Sequence, residues 1–174
     1  MRTGRISFTG IFIILVLAQM LICNYLHLSY YLTLSILPAL ILFLPVRIGT
    51  VGALLIAFVT GFSVDFFAES LIGLNMLALV PVAFVRRTVL SLVYGNEFFA
   101  REEDPSPQKN GLGKALLAIL IVQALFLAIY IWADGAGVRP LWFNALRFAC
   151  SLAAGTVLSL FAADLLAGDG RKNA

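Results

Sequence analysis

Two carboxylates stand in an otherwise apolar stretch and are the clearest candidates for chemistry in this sequence. Asp65 and Glu69 are four residues apart in GFSVDFFAESLIGLN, between Gly61 and Gly73, and residues 48–85 contain no Lys or Arg. Ionisable residues within membrane spans are energetically costly and usually face the bundle interior or a cavity. The pair could therefore work inside a membrane protein, or it could consist of loop acids that touch water at the membrane surface.

Other combinations of residues that catalysis needs do not occur in the sequence. There is one histidine, His27, which is too few for a zinc site, and no Ser is in register with it for a Ser–His–Asp arrangement. The letters GFSVD differ from the G-x-S-x-G nucleophile elbow, and no P-loop or dinucleotide-binding fingerprint occurs. We therefore expect no catalytic residue, no cofactor and no metal, and no enzymatic activity.

The composition identifies the elements that must position the two acids. The 174 residues are 61% hydrophobic and 12% charged, with a mean hydropathy of +1.00, whereas soluble domains are about 45–50% apolar and about 25% charged. Helices need about 20 apolar residues to cross a bilayer, and the apolar runs are too long for an alternating β-barrel. The sequence predicts an all-α integral membrane protein, a six-helix transmembrane bundle, formed by a single domain over residues 1–174.

The interruptions of the apolar sequence set the expected spans. Polar or proline residues break it at five places, and the longest break, residues 86–111, is expected to be a cytoplasmic loop. The first half of this loop extends the fourth helix or lies along the inner interface, and the second half is flexible. The predicted spans are 6–23, 28–44, 48–64, 71–85, 112–132 and 141–166.

Positive charges predict the orientation. With both termini in the cytoplasm, ten of the 12 Lys and Arg residues fall on the inner side, and only Arg139 and Arg147 fall outside. Cytoplasmic loops carry an excess of positive charge in this way. We therefore expect a multi-pass protein of the bacterial cytoplasmic membrane, whose net charge of +3 favours contact with anionic lipid and not with nucleic acid.

Asp65 is expected to lie close to the outer boundary. It follows Arg47 by 18 residues, which is about 27 Å of helix in a hydrocarbon core about 30 Å thick. We expect its carboxylate to accept hydrogen bonds from the turn or from neighbouring helices and to do no acid–base chemistry. On this hypothesis Asp65→Asn is largely tolerated, whereas Asp65→Leu disrupts folding or assembly.

Small residues recur every fourth position in two of the spans. Such spacing lets two helix backbones approach closely, so both series are expected to be packing faces. The third span has Gly49, Ala53, Ala57 and Gly61 and continues to Asp65, and the sixth span has Ser151, Gly155, Ser159 and Ala163.

The stretch GFSVDFFAESLIGLNMLAL, residues 61–79, resembles the rod shape-determining protein family MreD. The likeness consists of Gly61, Asp65 and Gly73 at the end of the third span, together with six short spans and a basic N-terminus. Glu69 and Asn75 are added to this candidate partner-packing set because of their polarity.

The resemblance implies a fold similar to that of the substrate-binding subunits of energy-coupling-factor transporters. It implies a non-enzymatic scaffold that partners MreC, a single-span protein with a periplasmic coiled coil. Together they belong to the elongation machinery, which links the MreB filament to the glycosyltransferase RodA and its transpeptidase in sidewall peptidoglycan synthesis. It implies no cofactor.

Two other functions remain open from the residues. A vitamin-capture subunit of the same fold would line an outward pocket with polar and aromatic side chains, and the chain offers Asn24, His27, Asp65, Glu69, Asn75, Trp132 and Trp142. A small enzyme acting on lipid headgroups would need several acids or histidines at one depth, where only Asp65 and Glu69 qualify.

Overall fold

The structure, a computed structural model, describes residues 8–25, 32–68, 72–95, 105, 107–135 and 140–168. These residues form helices and no strand, so the all-α prediction is confirmed for them. In chain order the helices are α1 Phe8–Tyr25, α2 Leu37–Leu42, α3 Thr50–Ala68, α4 Leu74–Tyr94, the single turn α5 Pro107–Asn110, α6 Leu112–Gly135 and α7 Leu141–Gly168.

Four helices, α3, α4, α6 and α7, are long and apolar enough to cross a membrane. Their outward surfaces carry large apolar side chains such as Val51, Phe67 and Phe84, which are more than half exposed. A helix that buries apolar side chains and also exposes them is suited to a lipid environment, where no polar outer face is needed. The chain is therefore a multi-pass membrane protein.

The second predicted span, residues 28–44, is not a continuous helix in its described part. Residues 32–36, here called the non-helical segment, precede α2, which has only six residues. At 1.5 Å per residue α2 is about 9 Å long, far short of the bilayer core. Every residue of α2 is buried, so this apolar run belongs to the centre of the bundle and does not face lipid.

The fourth predicted span, residues 71–85, is shorter than the helix that forms. Helix α4 continues to Tyr94, so Arg86 and Arg87 lie within it and the first part of the predicted loop 86–111 is helical. Pro81 lies inside α4. Of the two predictions for this region, an extension of the fourth helix is the one that the structure shows.

The two small-residue series are buried packing faces, apart from Gly49 at the start of the first series. In α3, Ala53, Ala57, Gly61 and Asp65 are all buried, whereas Gly49 precedes the helix and is exposed. The series of α7 is buried throughout, and α7 packs against α6. Helix α4 packs between α3 and α6, with α2 in contact with α4, α6 and α7, so the small faces set the order of neighbours in the bundle.

Candidate functional site

Helices α3 and α4 approach each other closely at Gly61. A β-carbon added there would lie 2.6 Å from the Cα and 2.7 Å from the backbone nitrogen of Met76. Real β-carbons essentially never approach backbone so closely, so only glycine permits this helix separation. The prediction that Gly61 lets two helix backbones meet is confirmed.

Asp65, one turn after Gly61, is completely buried and accepts four hydrogen bonds. Its Oδ1 accepts from the backbone N–H and the side-chain Nδ2 of Asn75, both at 3.0 Å. Its Oδ2 accepts from the backbone N–H of Gly73 at 2.9 Å and of Met76 at 3.2 Å. The expected hydrogen bonds from the turn and the start of the next helix are therefore present.

The donors to Asp65 are those that a helix start leaves without partners. The first backbone N–H groups of a helix have no intrahelical acceptor, and the aligned peptide dipoles favour a negative charge there. The backbone N–H of Leu77 donates to the carbonyl oxygen of Gly73. Three N–H groups before it, those of Gly73, Asn75 and Met76, donate to Asp65 instead. A side chain of α3 thus caps α4.

The chain reverses between α3 and α4 through Gly73, which has φ +106°. This left-handed conformation is costly for residues with a β-carbon and is open to glycine. Of the five predicted site residues, the structure brings Gly61, Asp65, Gly73 and Asn75 together at one helix junction. Glu69 lies outside the described residues.

A second polar cluster, which was not predicted from the sequence, surrounds the non-helical segment. Gln19 of α1 donates from Nε2 to the carbonyl oxygen of Leu34 at 3.0 Å and accepts at Oε1 from the backbone N–H of Ile36 at 2.9 Å. Gln123 of α6 donates to the carbonyl oxygen of Ser35 at 3.0 Å. Non-helical backbone at membrane depth is tolerated only where protein or water satisfies it, and here two glutamines do so.

Gln123 stands eleven residues into α6, about 17 Å along a helix about 36 Å long. The cluster is therefore close to the middle of the bundle. Opposite it, a β-carbon on Gly155 would lie 2.5 Å from Gln123 Nε2, so this glycine of the α7 series makes room for the amide. The sequence signal was present, since two of the three glutamines occur within apolar spans.

Two further polar contacts tie the non-helical segment to α7. The backbone N–H of Thr33 donates to Ser151 Oγ at 2.8 Å, and Arg147 Nε donates to Thr33 Oγ1 at 2.9 Å. Arg147 also forms an ion pair with Asp134 at the end of α6. The described contacts of Arg147 therefore do not include Asp65, whose described hydrogen bonds come from Gly73, Asn75 and Met76.

Arg86 holds the other end of α2. It is 5% exposed, and it donates to the carbonyl oxygens of Leu42 at 3.1 Å, of Pro45 at 3.3 Å and of Leu44. Carbonyl groups at a helix C-terminus lack intrahelical donors and carry partial negative charge, which a cation stabilises. Arg86 therefore fixes the point at which the chain leaves α2 and turns towards α3.

The chemistry that this arrangement supports is structural. Four polar side chains each form hydrogen bonds with backbone atoms outside their own helix: Gln19, Asp65, Arg86 and Gln123. Within the described residues no group of three or more His, Cys, Asp or Glu side chains could hold a metal.

Comparison with known proteins gives no relative from which a role could be taken. No family model matches the chain, and the searches of curated proteins and of solved structures found no match. The geometry of the two polar clusters and the resemblance in the sequence are therefore the observations on which function can be argued.

Proposed function

We propose that this protein is a non-enzymatic membrane scaffold of the bacterial elongation machinery, with a role like that of MreD. In this role it binds an MreC-like single-span coiled-coil protein in the cytoplasmic membrane. Through that partner it helps to position the glycosyltransferase and transpeptidase that build sidewall peptidoglycan. We further propose that both termini lie in the cytoplasm, as the distribution of Lys and Arg predicts, and that the fold is similar to that of the substrate-binding subunits of energy-coupling-factor transporters, as the sequence resemblance implies.

The carboxylate of Asp65 is fully hydrogen-bonded within the chain, and this observation carries the proposal. Both carboxylate oxygens accept two hydrogen bonds each from within the chain, and the side chain is 0% exposed. A carboxylate in this state has no free lone pair directed at a substrate and no route to water. The most unusual residue of the MreD-like stretch is therefore suited to holding two helices together, which is what a scaffold requires.

The same contacts weigh against vitamin capture. Of the side chains offered for an outward pocket, Asp65 and Asn75 are bonded to each other. Trp132 and Trp142 are 78% and 65% exposed, as expected for aromatic residues at a membrane interface. His27 and Glu69 lie outside the described residues. Asp65, Asn75 and the two tryptophans thus do not converge on a ligand, and Asn24 is exposed on α1.

Copurification tests the proposal directly. The tagged protein would be extracted from its native membranes in mild detergent, and the proteins retained with it would be identified. We expect the MreC-like coiled-coil protein with the wild type and with the control Gly113→Ala, whose added β-carbon meets no atom within 4 Å. We expect a reduced yield of that partner with Gly61→Ala.

Loss of the protein should also convert rod-shaped cells to rounded ones, and wild-type protein should restore the rods. Retention of an ATPase-containing transporter complex in place of the coiled-coil protein, together with binding of a vitamin, would replace this proposal with the capture function. Normal cell shape in a deletion strain would remove the link to elongation.

A further inference from the structure

A cavity of about 220 Å³ opens between the start of α3 and the middle of α4. Three arginines contribute to its wall, Arg47 before α3 and Arg86 and Arg87 in α4, and Gly49 and Thr50 lie beside them. Apolar residues including Ala53 and Ala83 form the rest of the lining. Three cationic side chains around one space in an apolar bundle are a feature that neither polar cluster described above explains.

The charge at this cavity is positive, and part of it is fixed in place. Arg86 is held by the carbonyl oxygens at the end of α2, whereas Arg47 and Arg87 are exposed. All three arginines take part in further interactions, and each guanidinium group has five N–H donors to share. Thr50 begins α3 at the same place, so the positive end of a helix dipole adds to the field.

The dimensions favour a small anionic group. Sites for drug-sized molecules measure about 300–1,000 Å³, so this cavity is smaller than they are. Guanidinium groups bind phosphate oxygens through paired N–H donors, and helix N-termini bind phosphate in the same way. A phosphate group fits both the charge and the size.

The position in the fold favours the membrane surface. Thr50 and Asp65 are 15 residues apart in α3, about 23 Å along the helix, so the cavity lies at the opposite end of the α3–α4 pair from the Asp65 cap. Headgroup phosphates lie at this level beside a helix that crosses the bilayer, and basic pockets between helices bind anionic headgroups.

We propose that the cavity binds a phosphate group, supplied by the headgroup of an anionic phospholipid or by free inorganic phosphate. The guanidinium groups of Arg47, which precedes α3, and of Arg87 in α4 donate hydrogen bonds to the phosphate oxygens. Arg86 adds positive charge to the cavity and continues to donate hydrogen bonds to the carbonyl oxygens at the end of α2. An occupied site thereby links the start of α3 to the middle of α4.

Two binding measurements distinguish the sources of phosphate. In the first, protein in a neutral detergent is incubated with phosphatidylglycerol or with diacylglycerol, which lacks the phosphate group, and retained lipid is counted by native mass spectrometry. In the second, inorganic phosphate is titrated in and the melting temperature of the protein is followed. Preference for phosphatidylglycerol with no response to phosphate identifies a lipid site, and a phosphate response that displaces the lipid identifies a site for the free anion.

The double variant Arg47→Gln/Arg87→Gln removes the two exposed cations and leaves Arg86 in place. A basic residue near an anionic headgroup strengthens binding about fivefold, so we expect a loss on the order of 10- to 30-fold for the double variant. Lys114→Gln is the matched control, because Lys114 is exposed at the start of α6 and is not part of the cavity lining. We expect it to bind like the wild type.

A neutral change that fills the cavity separates binding in the site from general attraction to charge. Gly49 is exposed, and a β-carbon on it would meet nothing within 4 Å. Gly49→Leu should therefore fold normally and yet weaken binding with every arginine still present.

Equal retention of both lipids without a phosphate response would overturn the proposal, as would binding that the double variant leaves unchanged. Binding that appears only after Glu102, Glu103 and Asp104 are replaced by their amides would also overturn it. In that case the chain's own carboxylates would take the place that we assign to phosphate.

Discussion

Replacement of Asp65 by asparagine tests the helix cap most sharply, because it keeps the size of the side chain and removes one acceptor. Each carboxylate oxygen accepts two hydrogen bonds, Oδ1 from Asn75 and Oδ2 from Gly73 and Met76. An asparagine has a single oxygen. In either orientation of the amide, its NH₂ group faces two N–H donors. Two hydrogen bonds are therefore lost, and the facing donors repel one another.

The expected loss of stability is set by those two hydrogen bonds. Hydrogen bonds to charged groups contribute about 1.5–3 kcal/mol each in soluble proteins, whereas interhelical bonds in one membrane protein averaged about 0.6 kcal/mol and reached about 1.7 kcal/mol. The lower scale reflects partners that the unfolded state finds within the membrane, and the charge and complete burial of Asp65 place it towards the upper end. We therefore expect Asp65→Asn to lower the free energy of unfolding by about 2–4 kcal/mol.

In a protein of this size about 1 kcal/mol corresponds to about 2–4 °C in melting temperature, so the purified variant should melt about 4–16 °C lower. Asp65→Leu provides no acceptor for three backbone N–H groups and should be less stable still. The matched control is Asp164→Asn, since Asp164 is exposed and its described hydrogen bond comes from Gln108; it should melt within about 1 °C of the wild type, as surface changes usually do.

An Asp65→Asn variant that melts like the wild type and is nevertheless inactive in maintaining cell shape would refute this reasoning. It would show that Asp65 acts through its charge and not through its hydrogen bonds. The expectation from the sequence that asparagine is largely tolerated rested on the need for one acceptor. In the structure the two carboxylate oxygens of Asp65 accept four hydrogen bonds. We therefore expect asparagine to destabilise the protein.

Three other measurements test the packing and the topology. Gly61→Ala should destabilise the protein by about 1–3 kcal/mol, the usual scale of overpacking, while Gly113→Ala should be neutral; equal melting temperatures would show that α3 and α4 can separate without cost. Gln19→Leu leaves a backbone N–H and a backbone C=O of the non-helical segment without their present partner and should cost about 1–3 kcal/mol, whereas the exposed Gln108→Leu should not; similar losses would mean that the buried amide is dispensable. A single cysteine at Ser106, in a cysteine-free background, should be labelled only from the cytoplasmic side, and labelling from outside would reverse the proposed orientation.

The membrane class and the α3–α4 junction could be predicted because each depends on local signals. Four long apolar runs fix four helices, and Gly61 and Asp65 stand out against the apolar residues around them. The four-residue spacing places both on the same side of α3, and the short turn that follows leaves the start of α4 as the nearest source of donors. Both features are visible within one hairpin.

The interruption before α2 could not be predicted in the same way, because its partners are distant in the chain. Residues 28–44 are apolar enough for a span, and hydropathy does not distinguish lipid from an apolar protein interior. The non-helical segment is stabilised by Gln19 and Gln123, of which the second lies 88 residues from its acceptor at Ser35. Each glutamine by itself is compatible with an ordinary interhelical contact.

The buried polar residues also indicate where a partner protein cannot bind. Asp65, Gln19, Gln123 and Arg86 are each at most 5% exposed, and each bonds to backbone of another element. In a bilayer a polar side chain that satisfies a neighbour's backbone specifies which element lies beside it, because the apolar side chains around it would pack equally well elsewhere. These residues therefore determine the internal order of the bundle. If the proposed function holds, a single-span partner would bind the outward apolar faces or the soluble ends of the helices, where substitutions leave this internal order intact.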